Sequence, residues 1–155
     1  MTHDYCRWLG DELERLFKCF VLYVLIVIGT VAQATERPLT IHLDAGGTLK
    51  GRLHQLDLLR ASRRPVVIAG LCMSACTMLL ALPQTCVDPE ARLTFHGPQN
   101  SKRRITPEQH EYYSRLIARH YPPQLERWYL REGRYGKHNL TGSEVIDLGA
   151  IRCKK

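Results

Sequence analysis

Three short stretches hold residue types that could do chemistry. Gly70-Leu71-Cys72-Met73-Ser74-Ala75-Cys76-Thr77 follows the apolar run Val66-Val67-Ile68-Ala69 and leads into Met78-Leu79-Leu80-Ala81-Leu82. A strand that stops at glycine and hands over to a helix near a serine puts that hydroxyl at a helix N-terminus. Unpaired N–H groups and the helix dipole favour developing negative charge there. Ser74 is therefore a candidate nucleophile, and its plainer role is a helix cap. Asp44-Ala45-Gly46-Gly47 ends an alternating stretch with Leu39, Ile41 and Leu43 on one side. Paired glycines at a strand end allow positive φ and can turn N–H groups outward as an anion cradle, or simply make a tight turn. The third stretch, Phe95-His96-Gly97-Pro98, sets a histidine at the end of the strand-like Arg92–Phe95. Taken alone, a histidine at that place is more often structural than catalytic.

The intervening segments have the patterns needed to position these residues. Leu49, Leu53, Leu56 and Leu59 recur at helical steps, with His54 and Gln55 off that face and Leu58 an apolar exception. A second helix is expected over 75–82. Strand, Gly-Gly loop, helix, strand, Ser74 turn and helix together predict an α/β fold with a parallel sheet. Ligands bind such sheets at the carboxyl ends of the strands, where Gly46-Gly47, Ser74 and His96 all stand. Pro83-Gln84-Thr85 breaks the chain and Asp88-Pro89-Glu90 turns it. The remainder reads as helical. Thr106-Pro107-Glu108-Gln109 opens one helix, Leu125, Trp128 and Tyr129 mark a short successor after Pro122-Pro123, and Thr141-Gly142-Ser143-Glu144 opens a last one ending at Gly149. Arg131–His138 reads as a basic loop. His110 and His120 stand ten residues apart, which is no metal-ligand spacing, and they read as surface or partly packed side chains.

Composition bounds the class. The 155 residues, 45% hydrophobic and 24% charged, fit one ordinary globular domain. Phe20 to Ala32 is an uncharged apolar run that follows Arg15 and Lys18 and leads into Ala32-Gln33-Ala34, a small-x-small pattern. Residues 1–34 therefore read as a cleaved signal peptide or a membrane anchor, with a buried core helix as a third option, and residues 35–155 as the folded domain. In the first two cases the domain lies outside the cytoplasm, touching membrane only through its N-terminal segment. Its cysteines, Cys72, Cys76, Cys86 and Cys153, are disulfide candidates with three pairings open. A bridge at Cys72 or Cys76 would stiffen the Ser74 turn. Cys72 and Cys76 lack a second ligand pair, so zinc is a poor reading, and neither metal nor cofactor is expected. The net charge of +7 and the run Lys102-Arg103-Arg104 are weak signs of nucleic-acid binding, which is not expected.

In order and spacing, Asp44-Ala45-Gly46-Gly47, Gly70-Leu71-Cys72-Met73-Ser74-Ala75 and Phe95-His96-Gly97-Pro98 resemble the ClpP-like serine peptidases of the ClpP/crotonase superfamily. Gly47 precedes Ser74 by 27 residues and Ser74 precedes His96 by 22. Residues 140–151 resemble that family's terminal helix, and the nearest likeness is to its exported, cysteine-containing subgroup. The resemblance implies a ClpP/crotonase-like α/β fold with short parallel strands, helical crossovers and a helical C-terminal part. It implies a periplasmic hydrolase with Ser74 as nucleophile, His96 as general base, and an oxyanion hole from Gly46, Gly47 and the N–H of Ala75. A peptide or protein substrate would lie along the Gly-Gly strand end, and a homo-oligomer stays open. Lys137 stands where the family carries an acid, which implies a Ser–His dyad, a triad completed by an unrelated carboxylate, or a dead site. Two rival readings accompany it. One is a catalytically inactive peptide-binding or structural protein of the same fold. The other is a crotonase-like acyl-thioester enzyme, against which export speaks.

Overall fold

The computed structural model describes Phe20 and residues 37–100 and 102–154. The expected leader, residues 1–34, lies outside the described residues apart from Phe20. Residues Glu36–Lys155 form one compact unit. No helix among the described residues is long and apolar enough to cross a membrane.

The chain runs β1 (Leu39–Asp44), α1 (Leu49–Ser62) and β2 (Val66–Met73), then a 3-10 helix (Ser74–Ala81), β3 (Thr85–Val87) and β4 (Arg92–His96). It continues through α2 (Pro107–Ala118), α3 (Pro123–Trp128), a π-helical turn (Tyr129–Gly133), β5 (Lys137–Thr141) and α4 (Gly142–Asp147). The sheet order is β1-β2-β4-β5, with β3 also paired to β2. β1, β3 and β4 all run parallel to β2, and only β5 is antiparallel, against β4. A mostly parallel α/β sheet is thus present. β3 pairs with Val66–Ile68 and β4 with Leu71–Met73, so two short strands divide one edge of β2 between them.

Patterning explains the core. α1 is capped by Thr48, whose hydroxyl accepts from the Gly51 N–H, and it buries Leu56 and Leu59 while Leu58 stays exposed. β2 buries Val66, Ile68 and Cys72, and β4 buries Leu93 and Phe95. These pack with Leu79, Leu125, Tyr129 and Val145 in one continuous cluster. Truncating a fully buried leucine such as Leu56 to alanine costs about 2–5 kcal/mol in a core of this kind. Thr106 and Thr141 each form a complete capping box with Gln109 and Glu144, as their sequences predict.

Three local expectations change. The helix expected over 75–82 is a 3-10 helix that already begins at Ser74. Pro83-Gln84-Thr85, read as a break, leads at Thr85 into the strand Thr85–Val87, because parallel pairing with β2 supplies hydrogen bonds that three residues could not hold alone. The basic loop read over Arg131–His138 divides into the π-helical turn and the start of β5. Its polar sequence hides a strand whose outer face is exposed and whose order comes from pairing with β4.

Two disulfides lock the fold. Cys72–Cys76 closes a ring of five residues around Ser74, with Cα atoms 5.3 Å apart. Cys86–Cys153 ties the C-terminal tail to β3 across a separation of 67 residues. Val87 and Arg152 form a parallel bridge beside it, with Val87 N–H donating to the Ile151 carbonyl. Both bridges fit an oxidising, non-cytoplasmic compartment.

Candidate functional site

Ser74 stands at the corner between β2 and the 3-10 helix with φ of 56°. A non-glycine residue with positive φ is strained, and such strain at a strand-to-helix turn pushes the side chain out of the sheet. Two features hold the corner. The Cys72–Cys76 disulfide spans it, and the Thr77 hydroxyl donates to the Ser74 carbonyl at 2.8 Å. Because that proton is committed, the buried Tyr121 hydroxyl, 2.7 Å away, must donate to Thr77 Oγ1.

The Gly-Gly loop packs directly on this corner. Gly46 and Gly47 have φ of 102° and 96°. A Cβ on Gly46 would lie 2.7 Å from both the Met73 carbonyl and the Ser74 Cβ, and 3.1 Å from the Ala75 nitrogen. Only glycine permits that approach. The loop is fixed from behind by Arg52, whose side chain is 4% exposed. Its guanidinium donates to Asp44 Oδ2 at 2.6 Å, to the Gly46 carbonyl at 2.8 Å and to Gln55 Oε1 at 2.5 Å. Asp44 Oδ1 in turn accepts the Gly46 N–H at 2.8 Å. That bond occupies one expected oxyanion donor: the Gly46 amide is committed to Asp44. The Gly47 N–H has no partner among the described residues, and the Ala75 N–H lies in the first turn of a helix, where no intrahelical acceptor exists.

His96 ends β4 and is half-buried. Its Nδ1 lies 2.7 Å from the Gly97 carbonyl. A carbonyl can only accept, so Nδ1 carries the proton and Nε2 of the neutral ring keeps its lone pair. The backbone around His96 is held by Tyr129, whose hydroxyl donates to the His96 carbonyl at 3.1 Å. Burial pushes the titration of both Tyr121 and Tyr129 upward, so each stays a protonated donor. Their rings meet edge-to-face at 5.2 Å, and Phe95 packs edge-on against Tyr121 and Trp128. One aromatic cluster therefore braces the Ser74 corner and the His96 exit together. Gly97 is equally constrained, since a Cβ there would collide with the Arg134 carbonyl and the His110 ring.

Ser74 and His96 line the same cavity, of about 660 Å³, together with Thr94, His110, Arg134 and Lys137. Among the described residues no carboxylate lines it. Thr94 donates to Asn139 Oδ1 at 2.8 Å, and Lys137 lies opposite His96 in the β4–β5 register. Glu111, the acid that approaches Arg134, is bonded to it and to Arg115, and these guanidinium contacts hold its carboxyl below the usual range. Among the described residues no cluster of three or more histidine, cysteine or acidic side chains could hold a metal ion. Cys86 and Cys153 sit in their own bridge at β3, and Cys72 and Cys76 flank Ser74.

Arg52, Thr77, Tyr121 and Tyr129 hold the loop, the corner and the strand exit, roles that their sequence positions do not assign. Arg52 had a trace: it lies at the first turn of the helix that follows Asp44-x-Gly46. The tyrosines had none, because their partners are 44 and 33 residues away. No protein-family model matches this chain, and no curated protein does.

Proposed function

We propose that this chain is an exported serine hydrolase, peptidase-like and related in design to the ClpP-like peptidases its three strand-exit stretches resemble. The observation that carries the reading is Ser74 at φ of 56° on a braced strand-to-helix corner, sharing one cavity with His96. In this reading Ser74 Oγ attacks a carbonyl while His96 Nε2 takes its proton and later returns it to the leaving group. The oxyanion is received by the N–H groups of Gly47 and Ala75, each worth about 3 kcal/mol in a hole of this kind. The Gly97 carbonyl fixes the tautomer of His96, as a carboxylate does in a triad, but brings no negative charge to stabilise the imidazolium. Turnover slower than that of a full triad follows, toward the loss of about 10⁴ seen when the acid is disabled.

Among the described residues, the absence of a carboxylate from the cavity lining and of a hydrogen bond between Ser74 and His96 favours a second reading, an inactive peptide-binding protein of the same fold. A fluorophosphonate probe separates the two. Covalent labelling of the purified full-length protein, abolished by Ser74→Ala and slowed by His96→Ala, supports the hydrolase. Labelling that survives Ser74→Ala removes Ser74 as the nucleophile. A folded protein that takes no label is the binding protein.

A further inference from the structure

The cavity beside Ser74 has an unusual charge balance. Arg134 and Lys137 line it with two histidines, and among the described residues neither aspartate nor glutamate does. Asp44, next to the lining residue Ala45, and Glu111, bonded to the lining residue Arg134, are already committed. Asp44 is bonded to Arg52 and the Gly46 N–H, and Glu111 to Arg134 and Arg115. Lys137 has no ion-pair partner among the described residues. It stands directly opposite His96 on the neighbouring antiparallel strand, and residues so paired project on the same face of the sheet. Lys137 is exposed at the mouth of this cleft, and an unpaired cation there raises the positive potential felt by whatever binds.

We propose that this cavity selects substrates bearing a carboxylate close to the reacting carbonyl, with Lys137 as the residue that holds it. The inference rests on the reading of Ser74 and His96 as the reacting pair. An anion held at Lys137 lies within one side-chain length of the general base, and in a peptide-like substrate the group that supplies such an anion is a carboxylate. Two sources share that chemistry, a C-terminal α-carboxylate and an acidic side chain.

Full-length Ser74→Ala protein, which cannot turn over, is titrated by fluorescence anisotropy with labelled peptides in two matched pairs. One pair differs in a C-terminal carboxylate against its amide, the other in an internal Glu against Gln. The carboxylate member of at least one pair binds about tenfold more tightly at low salt, and the responding pair identifies the source. The preference disappears in Lys137→Gln and fades at about 1 M salt, where the screening length falls to about 3 Å. Equal affinities within both pairs, no binding by any peptide, or a preference that survives Lys137→Gln overturns the proposal. Fluorophosphonate labelling of the wild type reads the underlying function separately. Labelling without a carboxylate preference removes only the substrate class. A preference without labelling leaves a carboxylate-binding cavity and removes the hydrolase.

Discussion

His96 and Lys137 face each other across the antiparallel β4–β5 pair, so a cation occupies the place nearest the candidate base from the neighbouring strand. Proton transfer to His96 would create a second positive charge beside it. Replacing the cation by an anion should therefore help. Lys137→Asp is expected to raise the rate of fluorophosphonate labelling about tenfold to a hundredfold, part of the factor that an orienting acid supplies in a triad. To do so the new carboxylate must draw the Nδ1 proton from the Gly97 carbonyl. A folded Lys137→Asp protein with an unchanged or lower rate would remove this position as an orienting site.

The two disulfides are expected to separate stability from reactivity. Chain-entropy arithmetic gives about 4 kcal/mol for the long Cys86–Cys153 loop and about 2 kcal/mol for the short Cys72–Cys76 ring. Urea unfolding of Cys86→Ser with Cys153→Ser should therefore show the larger loss of stability. Cys72→Ala with Cys76→Ala should lose less stability but more Ser74 labelling, because that bridge spans the strained corner. The reverse ranking in labelling would show that the ring does not position Ser74.

Arg52 joins Asp44, Gly46 and Gln55 from a nearly buried position. Arg52→Ala removes three hydrogen bonds and leaves Asp44 without its counter-charge. A cost of about 3 kcal/mol is expected from breaking a buried pair on one side, checked by urea unfolding. The Gly-Gly loop loses its backing as well, so labelling of the remaining folded protein should slow. Normal labelling in Arg52→Ala would mean that the loop holds its shape without the guanidinium.

Acid should weaken the fold in two stages. Burial pushes His120 below the ordinary histidine value, against an opposing hydrogen bond from its Nδ1–H to the Leu116 carbonyl. The unfolded chain then takes up that proton first, so stability present above about pH 6.5 is lost as pH falls toward the folded value. Glu111, held low by Arg134 and then Arg115, and Glu144, held low by the Thr141 N–H and hydroxyl, contribute stability that is lost at lower pH, below the usual carboxylate range. Urea midpoints measured from pH 7.5 to 3.5 should show both stages, and His120→Asn should remove the first alone. A midpoint constant from pH 7 to 5 in the wild type would contradict the role given to His120.

Legibility followed the range of the interaction. Helix α1 was readable because Leu56 and Leu59 recur on one face, and α2 and α4 because Thr106 and Thr141 announce their caps within four residues. β5 was hidden, since Lys137–Thr141 is polar and becomes a strand only through pairing with β4. The 3-10 geometry after Ser74 was hidden too, because apolar spacing over eight residues does not distinguish a tight helix from an α-helix. At the site, the three strand exits carried local signals in glycine, serine and histidine. The commitment of the Gly46 amide to Asp44 could not be inferred, because it depends on where one carboxylate points.

By itself the sequence determined the alternation that makes a parallel sheet, and with it the placing of Gly46-Gly47, Ser74 and His96 at carboxyl strand ends. Those are consequences of local pattern and chain direction. Which cysteines pair, which N–H groups remain open and what stands beside His96 were decided only by the tertiary structure. Each depends on register and on contacts between distant residues: Cys86 with Cys153, Thr77 with Tyr121, His96 with Tyr129 and Lys137. A free energy that is a small difference between large terms selects one such arrangement, and no short window of sequence contains it.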